Sequence, residues 1–307
     1  MKNTVVVIGS SNTDMIIKVA HIPKPGETIL GGEFTTAAGG KGANQAVGAA
    51  RAGGEVVFVA RVGADLFGEQ AVNGFIRDGI LCDHVIRDDS APSGVALIFV
   101  DEQGENSIAV ASGANANVSP SDVEAARGVI ASAGIVLMQL EIPLETVSAA
   151  ARIASDSGVR VILNPAPARP LGDDLLGCVS ILTPNESETE LLTGIAVRDE
   201  TSAEDASEIL AAKGVRTVLI TLGSRGVYAF SPEFKGMIPG FPVEAVDTTA
   251  AGDVFNGVLA VSLAGRKPLE DAVRFANAAA ALSVTRMGAQ PSAPSRDEIK
   301  AFLRECT

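Results

Sequence analysis

Histidine is almost missing from this chain: His21 and His84 are the only two among 307 residues. An imidazole triad or an imidazole metal site has little to be built from, and both histidines read as surface or loop residues. Cysteine is nearly as scarce, with Cys82, Cys178 and Cys306 scattered, odd in number and without CxxC spacing. Neither a disulfide framework nor a cysteine zinc site is suggested, and a reducing compartment fits. Positive charge is short as well, since 24 Lys and Arg against 37 Asp and Glu leave a net charge of −13. So acidic a chain lacks the basic face that displaces counterions from nucleic acid or docks on an anionic membrane, and any polyanionic ligand must be held locally. The apolar run at residues 5–8 is too short for a signal segment or a membrane span and reads as a first buried strand, so a cytoplasmic protein is expected.

The remaining composition is that of an ordinary globular protein, 47% hydrophobic and 20% charged. A chain of 307 residues is near the size at which one core stops growing, which argues for one large body with a smaller appendage. Short β-branched runs alternate with Ala-rich or amphipathic segments, as in TVVVIG then GANQAVGAARAGG, EVVFVARVG then FGEQAVNGFIRDG, and GIVLMQL then LETVSAAARIASDSG. Parallel strands need helical crossovers, so this alternation predicts an α/β fold, a doubly wound, mainly parallel sheet flanked by helices. Residues 12–38 and 93–112 break the rhythm: they read as strands joined by turns, the second a hairpin around Glu102 to Gly104. A small antiparallel sheet is expected from them, with an apolar face for a ligand or a partner subunit to cover.

Several turns are candidates for chemistry. In AAGGKGANQAVGAARAGG, Lys41 is followed by Gly42 rather than Ser or Thr, which excludes a Walker A loop, and Gln45 stands where a dinucleotide fingerprint needs its last glycine. The segment is either a tight turn before a helix or a ligand site in which Gly39, Gly40 and Gly42 admit a small polar molecule and Lys41 and Asn44 bond it. GSSNTD puts Asn12 and Asp14 just past the first strand, where open α/β sheets bind ligands; a carboxylate and an amide there suit a polyhydroxylated ligand, or simply a polar turn. In TPNESETELLTG, Thr183 or Asn185 caps a helix, or Asn185 and Glu188 stand on the phosphate side of a nucleotide with Glu188 holding Mg²⁺ through water. LITLGSRGVYAF is a hairpin whose Thr221, Gly223, Gly226 and Arg225 are also available to a nucleotide.

DTTAAGDVFNG, Asp247 to Gly257, carries the sharpest signal. Helical periodicity begins at Val254, so Ala250, Ala251 and Gly252 form the helix N-terminus, where unpaired amides and the dipole attract phosphate and small side chains let it approach. A carboxylate in that first turn repels a phosphate, so Asp253 is out of place there unless it has a task. General base for a hydroxyl attacking a γ-phosphorus is the task that fits.

In this order GGKGANQA (39–46), LNPAPA (163–168), TPNE (183–186), TLGSRG (221–226), DTTAAGD (247–253) and TRMGAQPS (285–292) resemble the ribokinase branch of the PfkB sugar kinases. The resemblance runs over the whole chain and implies one kinase domain over 1–307, Rossmann-like, whose β lid from about 12–38 and 93–112 also makes a homodimer. It implies ATP-dependent phosphorylation of D-ribose at O5, with Mg²⁺ and K⁺. By motif position, Asn12, Asp14, Gly40, Lys41, Asn44 and Glu141 contact the sugar, Asp253 is the base, and the amides of Ala250, Ala251 and Gly252 form the anion hole. The nucleotide contacts Asn185, Thr221, Leu222, Gly223, Ser224, Arg225, Gly226, Gly252 and Asn277, this last standing where some ribokinases carry histidine. A K⁺ site uses Asp247, Thr249, Ser283, Arg286, Gly288 and Ser292, several through backbone oxygen. The alternatives are a kinase for 2-deoxyribose, fructose or a nucleoside, and a catalytically idle sugar- or nucleotide-binding regulator on the same fold.

Overall fold

Strand β1 (Thr4–Ile8) is TVVVI, buried on both faces as expected of a strand in the middle of a helix-covered sheet. The computed structural model describes residues 3–30 and 32–306; Gly31, inside the expected 12–38 lid segment, lies outside the described residues, as do Met1, Lys2 and Thr307 at the ends of the expected 1–307 domain. The further strands are β2 (Asn12–Lys18), β3 (Phe34–Gly39), β4 (Glu55–Gly63), β5 (Leu81–Asp88), β6 (Gly94–Val100) and β7 (Asn106–Ala111). After them come β8 (Ile135–Met138), β9 (Arg160–Leu163), β10 (Ile181–Leu182), β11 (Thr217–Thr221), β12 (Gly226–Phe230) and β13 (Lys235–Pro239).

The main sheet has nine strands in the order β13-β12-β11-β10-β9-β8-β1-β4-β5. From β11 to β5 every pairing is parallel, and β12 and β13 add an antiparallel hairpin at one edge. Alternation along β1 divides the core. Val5 and Val7 pack on one face with helices Lys41–Arg51, Ala251–Ala264 and Leu269–Ser283, while Val6 and Ile8 pack on the other with Leu144–Asp156 and Glu200–Ala212.

The lid segments form a second sheet, β3-β2-β6-β7, with a β6–β7 hairpin turning at Asp101 to Glu105 as expected. The expectation of an antiparallel sheet is corrected: it is mixed, because β2 and β6 pair in parallel. These two strands continue from the carboxyl ends of β1 and β5, which run the same way in the main sheet, so they leave the body in one direction. Pairing places Met15, Ile17, Phe34, Leu97 and Phe99 on one face of the lid and Asp14 and Ala96 on the other.

Two glycines bring the elements close enough to make a site. A Cβ on Gly42 would lie 2.4 Å from the Ser10 amide nitrogen, so only glycine lets helix Lys41–Arg51 begin against the end of β1. A Cβ on Gly257 would lie 2.4 Å from the Gln45 carbonyl oxygen, and its absence lets helix Ala251–Ala264 lie directly on helix Lys41–Arg51. Asp253, one turn before Gly257, is thereby set beside Asn44 and Gln45.

Candidate active site

A cleft of about 1000 Å³ opens at the carboxyl ends of the central strands, with Lys41, Asp253, Asn185, Glu188, Gly223, Ala250 and Asn277 among its walls. This is the edge at which open α/β sheets bind ligands. Ala250 takes a left-handed conformation (φ 59°, ψ 13°) that turns the chain into helix Ala251–Ala264. Its small side chain limits the strain of that turn. Ala251 N donates to Thr248 O at 3.3 Å, closing the turn, whereas the amides of Ala250, Gly252 and Asp253 have no partner among the described residues. The free donors at this helix end therefore differ by one from the expected trio: Ala251 is engaged and Asp253 takes its place.

Asp253 is 5% exposed. Asn44 Nδ2 donates to its Oδ2 at 3.0 Å and Gln45 Nε2 to its Oδ1 at 2.9 Å. Burial raises the pKa of Asp253, and the Lys41 ammonium and the two amide donors offset only part of that rise. Lys41 behaves oppositely. Burial disfavours its charge, but attraction to Asp253, Glu141 and Glu188 outweighs burial and holds its pKa above the usual lysine value.

On the lid side, burial first, and then the charges of Glu141 and Asp253, push the Asp14 carboxyl up to about 6. Asn12 is buried, its Oδ1 accepting from Asn115 Nδ2 at 2.7 Å, while Asn115 also clasps both backbone groups of Ser11. Glu141 Oε2 accepts from Ser10 Oγ at 2.5 Å and from Lys41 N at 3.0 Å, which fastens the helix start to the segment after β8. The structure thus brings Asp14, Lys41, Asn44, Glu141 and Asp253 around one point. Gly40 (φ 87°) packs its backbone against Ser11 and Asn12, so it and Gly42 serve chain approach as well as any ligand.

Along the rest of the cleft, Asn185 and Glu188 form a reciprocal capping box for helix Glu186–Thr193, with both bonds at 2.8 Å. Glu188 is nonetheless buried against the cleft, and burial, offset in part by the Asn185 amide and Lys41, raises its pKa. Thr221, Gly223, Ser224 and Gly226 line the cleft; Leu222 does not, since its side chain is in the core, and neither does Arg225, which pairs with Glu186. Asn277 Nδ2 ties its helix to the carbonyls of Ile238 and Pro239 at 3.3 and 3.1 Å.

Asp247 clasps two turns: its Oδ1 accepts from Thr249 N at 2.9 Å and its Oδ2 from Gly288 N at 2.8 Å. Burial raises its pKa, but these donors more than reverse the effect and keep it ionised. Ser283 and Ser292 donate their hydroxyls to the carbonyls of Ala280 and Ala289 at 2.8 and 2.7 Å. The Arg286 side chain reaches away to Glu298, so only its backbone is available to the loop.

Residues 2–296 match the sequence pattern of the pfkB family carbohydrate kinases. The chain is 47% identical over 303 residues to a ribokinase of Haemophilus influenzae, covering 99% of each. It is 36% identical over 300 residues to a deoxyribokinase of Salmonella typhimurium, covering 97% of this chain and 98% of the relative. Its fold superposes on the structure of an Arabidopsis thaliana ribokinase complexed with ribose and ATP with a TM-score of 0.92, at 36% identity and 98% coverage of each.

The chain belongs to the PfkB carbohydrate kinase family. In this PfkB kinase the polar core beneath the site was not foreseen. Gln45, whose only motif-level mark in the sequence is that it spoils a dinucleotide fingerprint, donates to Asp253 and to Asn164 Oδ1 (3.1 Å). Asn164 Nδ2 continues to Thr183 O at 3.1 Å, Thr183 Oγ1 to Asn256 Oδ1 at 2.6 Å, and Asn256 Nδ2 to Gly252 O at 2.8 Å, which holds the helix start from below. The available signal was a set of polar residues in segments otherwise apolar enough to be buried.

Proposed function

We propose that this kinase transfers the γ-phosphoryl group of ATP to O5 of D-ribose, giving ribose 5-phosphate and ADP. The observation that carries the reading is the buried Asp253 carboxylate placed among free helix-N-terminal amides, with Lys41, Asp14, Asn44 and Glu141 on its other side. In this reading Asp14, Asn12, Gly40, Lys41, Asn44 and Glu141 hold the sugar, whose hydroxyls donate to the carboxylates and accept from Lys41 and the amides. Asp253 takes the proton of the 5-hydroxyl as that oxygen bonds to the γ-phosphorus and the bond to ADP breaks. The amides of Ala250, Gly252 and Asp253 receive the charge that develops on the transferring group. The nucleotide lies along Asn185, the 221–226 turn and Asn277.

Glu188 fits a magnesium site: it is a buried carboxylate on the cleft with its Oε2 on the Asn185 amide, and would hold the ion through water. Bound there, Mg²⁺ supplies charge neutralisation for the phosphates. The 247–249 turn and the 283–292 segment fit a potassium site built chiefly from backbone oxygen, since Asp247 joins the two and the Ser283 and Ser292 oxygens keep lone pairs. Such a cation adds positive field beside the anion hole.

The lid face of Met15, Ile17, Phe34, Leu97 and Phe99 suits a second copy of the chain, and Phe34 and Leu97 are 62% and 49% exposed. Sedimentation of the chain and of Leu97→Glu tests that homodimer. A cytoplasmic location accords with the half-buried or exposed free cysteines. Release of ADP from MgATP in K⁺ buffer, compared across ribose, 2-deoxyribose, fructose and a nucleoside, tests the activity. The highest kcat/KM is expected for ribose; no ADP release with ribose would overturn the reading.

A further inference from the structure

Gln45 and Gln139 are both fully buried, at 0% exposure, between helices and strands made otherwise of alanine and branched aliphatics. Side chains of this kind are rarely so deep without a task. Their hydrogen bonds form a chain with one allowed sense. An ionised carboxylate only accepts, so the Gln45 group facing Asp253 is its amide nitrogen, which donates at 2.9 Å and gives its second hydrogen to Asn164 Oδ1 at 3.1 Å. That turns Gln45 Oε1 toward Gln139, whose Nε2 donates to it at 2.6 Å. The chain ends on Gln139 Oε1, which is buried and unpartnered among the described residues, in room left by Gly9, where a Cβ would lie 2.1 Å away. The sense of the chain is set at its other end, where Asp253 Oδ1 and Asn164 Oδ1, the latter fixed by its Nδ2 on the Thr183 carbonyl, both accept from Gln45.

We propose that Gln45 is a positioning residue for the reaction, locking the Asp253 carboxylate in place and in its ionised form, and that Gln139, by donating to Gln45 Oε1, holds Gln45 there. The proposal rests on the reading of Asp253 as general base. In the transfer step the proton passes from the sugar hydroxyl to Asp253; Gln45 gives up and takes up none. Charged groups also face Asp253 from every neighbouring element: Lys41 on the same helix as Gln45, Asp14 from β2, Glu141 after β8 and Glu188 from helix Glu186–Thr193. None of them changes in the variants below, so a difference from the parent protein isolates the amide.

The experiment compares Gln45→Met, Gln139→Met and Asp253→Asn in the full chain, measuring kcat, ribose KM, thermal unfolding and the dependence of kcat/KM on pH. Loss of a hydrogen bond to a charged group is expected to lower kcat of Gln45→Met by roughly 10- to 100-fold and to move the acid limb up by about one pH unit, with ribose KM within roughly threefold. Gln139→Met is expected to move both readouts in the same direction by less. A Gln45→Met protein that melts earlier but keeps kcat and its acid limb would show Gln45 to be packing alone and overturn the proposal. If Gln45→Met does not fold, Gln139→Met decides: a raised acid limb supports the proposal and an unmoved one overturns it. Near-normal turnover of Asp253→Asn overturns the base and this proposal together, whereas an inactive Asp253→Asn beside an unaffected Gln45→Met overturns this proposal alone.

Discussion

Asp253→Asn separates the chemistry of the site from its architecture. The two carboxylate oxygens each accept one bond, from Asn44 at 3.0 Å and Gln45 at 2.9 Å. Asparagine keeps one acceptor and turns the other position into a donor, which would face an amide nitrogen and leave a buried clash worth about 1–3 kcal/mol. The Gln45 sense is fixed by Asn164, whose Nδ2 is held by the Thr183 carbonyl and whose Oδ1 must accept from Gln45, so the new carbonyl must meet Gln45 and the new amide must meet Asn44. Asn44 Oδ1 is buried and without a partner, so a flip of the Asn44 amide accepts the new donor and removes the clash. The fold and the sugar pocket are therefore expected to survive.

Stability has a definite sign. The folded-state pKa of Asp253 is raised, so the folded protein favours the protonated form and the ionised carboxylate opposes folding above that pKa. A neutral asparagine removes the opposition, and Asp253→Asn should melt at or above the parent temperature at neutral and higher pH, the gain shrinking as pH falls below the folded pKa and gone below the ordinary carboxylate value. Turnover is expected to fall by about 10²- to 10⁴-fold, the range of a lost general base. Steady-state ADP release, calorimetric titration with ribose and melting curves at two pH values check the three parts. Turnover within roughly tenfold of the parent would refute the base; lost ribose binding or a lower melting temperature at neutral pH would refute the flip of Asn44.

Asp14 is ionised only above about pH 6, so ribose KM should rise as pH falls through that value, by roughly tenfold one unit below it, and Asp14→Asn should lack the dependence. Gly257→Ala sets a helix-propensity gain of about 1 kcal/mol against an overpacking cost of about 1–3 kcal/mol, because the new Cβ meets Gln45 O at 2.4 Å; lower stability and lower kcat are expected, and a raised melting temperature would contradict the packing. Rates should be higher in potassium than in sodium, and Asp247→Ala, which unclasps Thr249 from Gly288, should abolish the difference; equal parent rates in potassium, sodium and cation-depleted buffer would remove the cation from the reading.

The parallel sheet was legible because buried strands and the helices that cover them leave strong local periodicities, as in TVVVI followed by the Ala-rich helix at Lys41. The lid segments were legible as strands but not as a mixed sheet, since the β2–β6 direction depends on where two distant strands leave the body. Asp253 stood out because a carboxylate contradicts an anion site. Gln45 contradicted nothing nearby; its apolar helix marks it as buried, but its partner lies 208 residues away, so no local pattern says what it bonds. The Arg225 side chain, expected to serve a nucleotide, is held by Glu186, 39 residues distant, a pairing that no local pattern records.

The buried polar core also explains how so acidic a chain accommodates a phosphate donor. Asp14, Glu141, Glu188 and Asp253 act on one another or on Lys41, and this one ammonium serves three of them, Glu141, Glu188 and Asp253. Adding lysines would neutralise the acids, but a free ammonium in range of Asp253 also lowers its basicity and weakens it as a proton acceptor. Neutral amides lower that basicity too, but without adding a full positive charge: Asn44 and Gln45 donate to Asp253, and unpaired backbone N–H groups stand at the helix start beside it. A raised pKa for Asp253 then follows from its burial, and it favours the role proposed for it, since a more basic carboxylate takes a hydroxyl proton with less penalty.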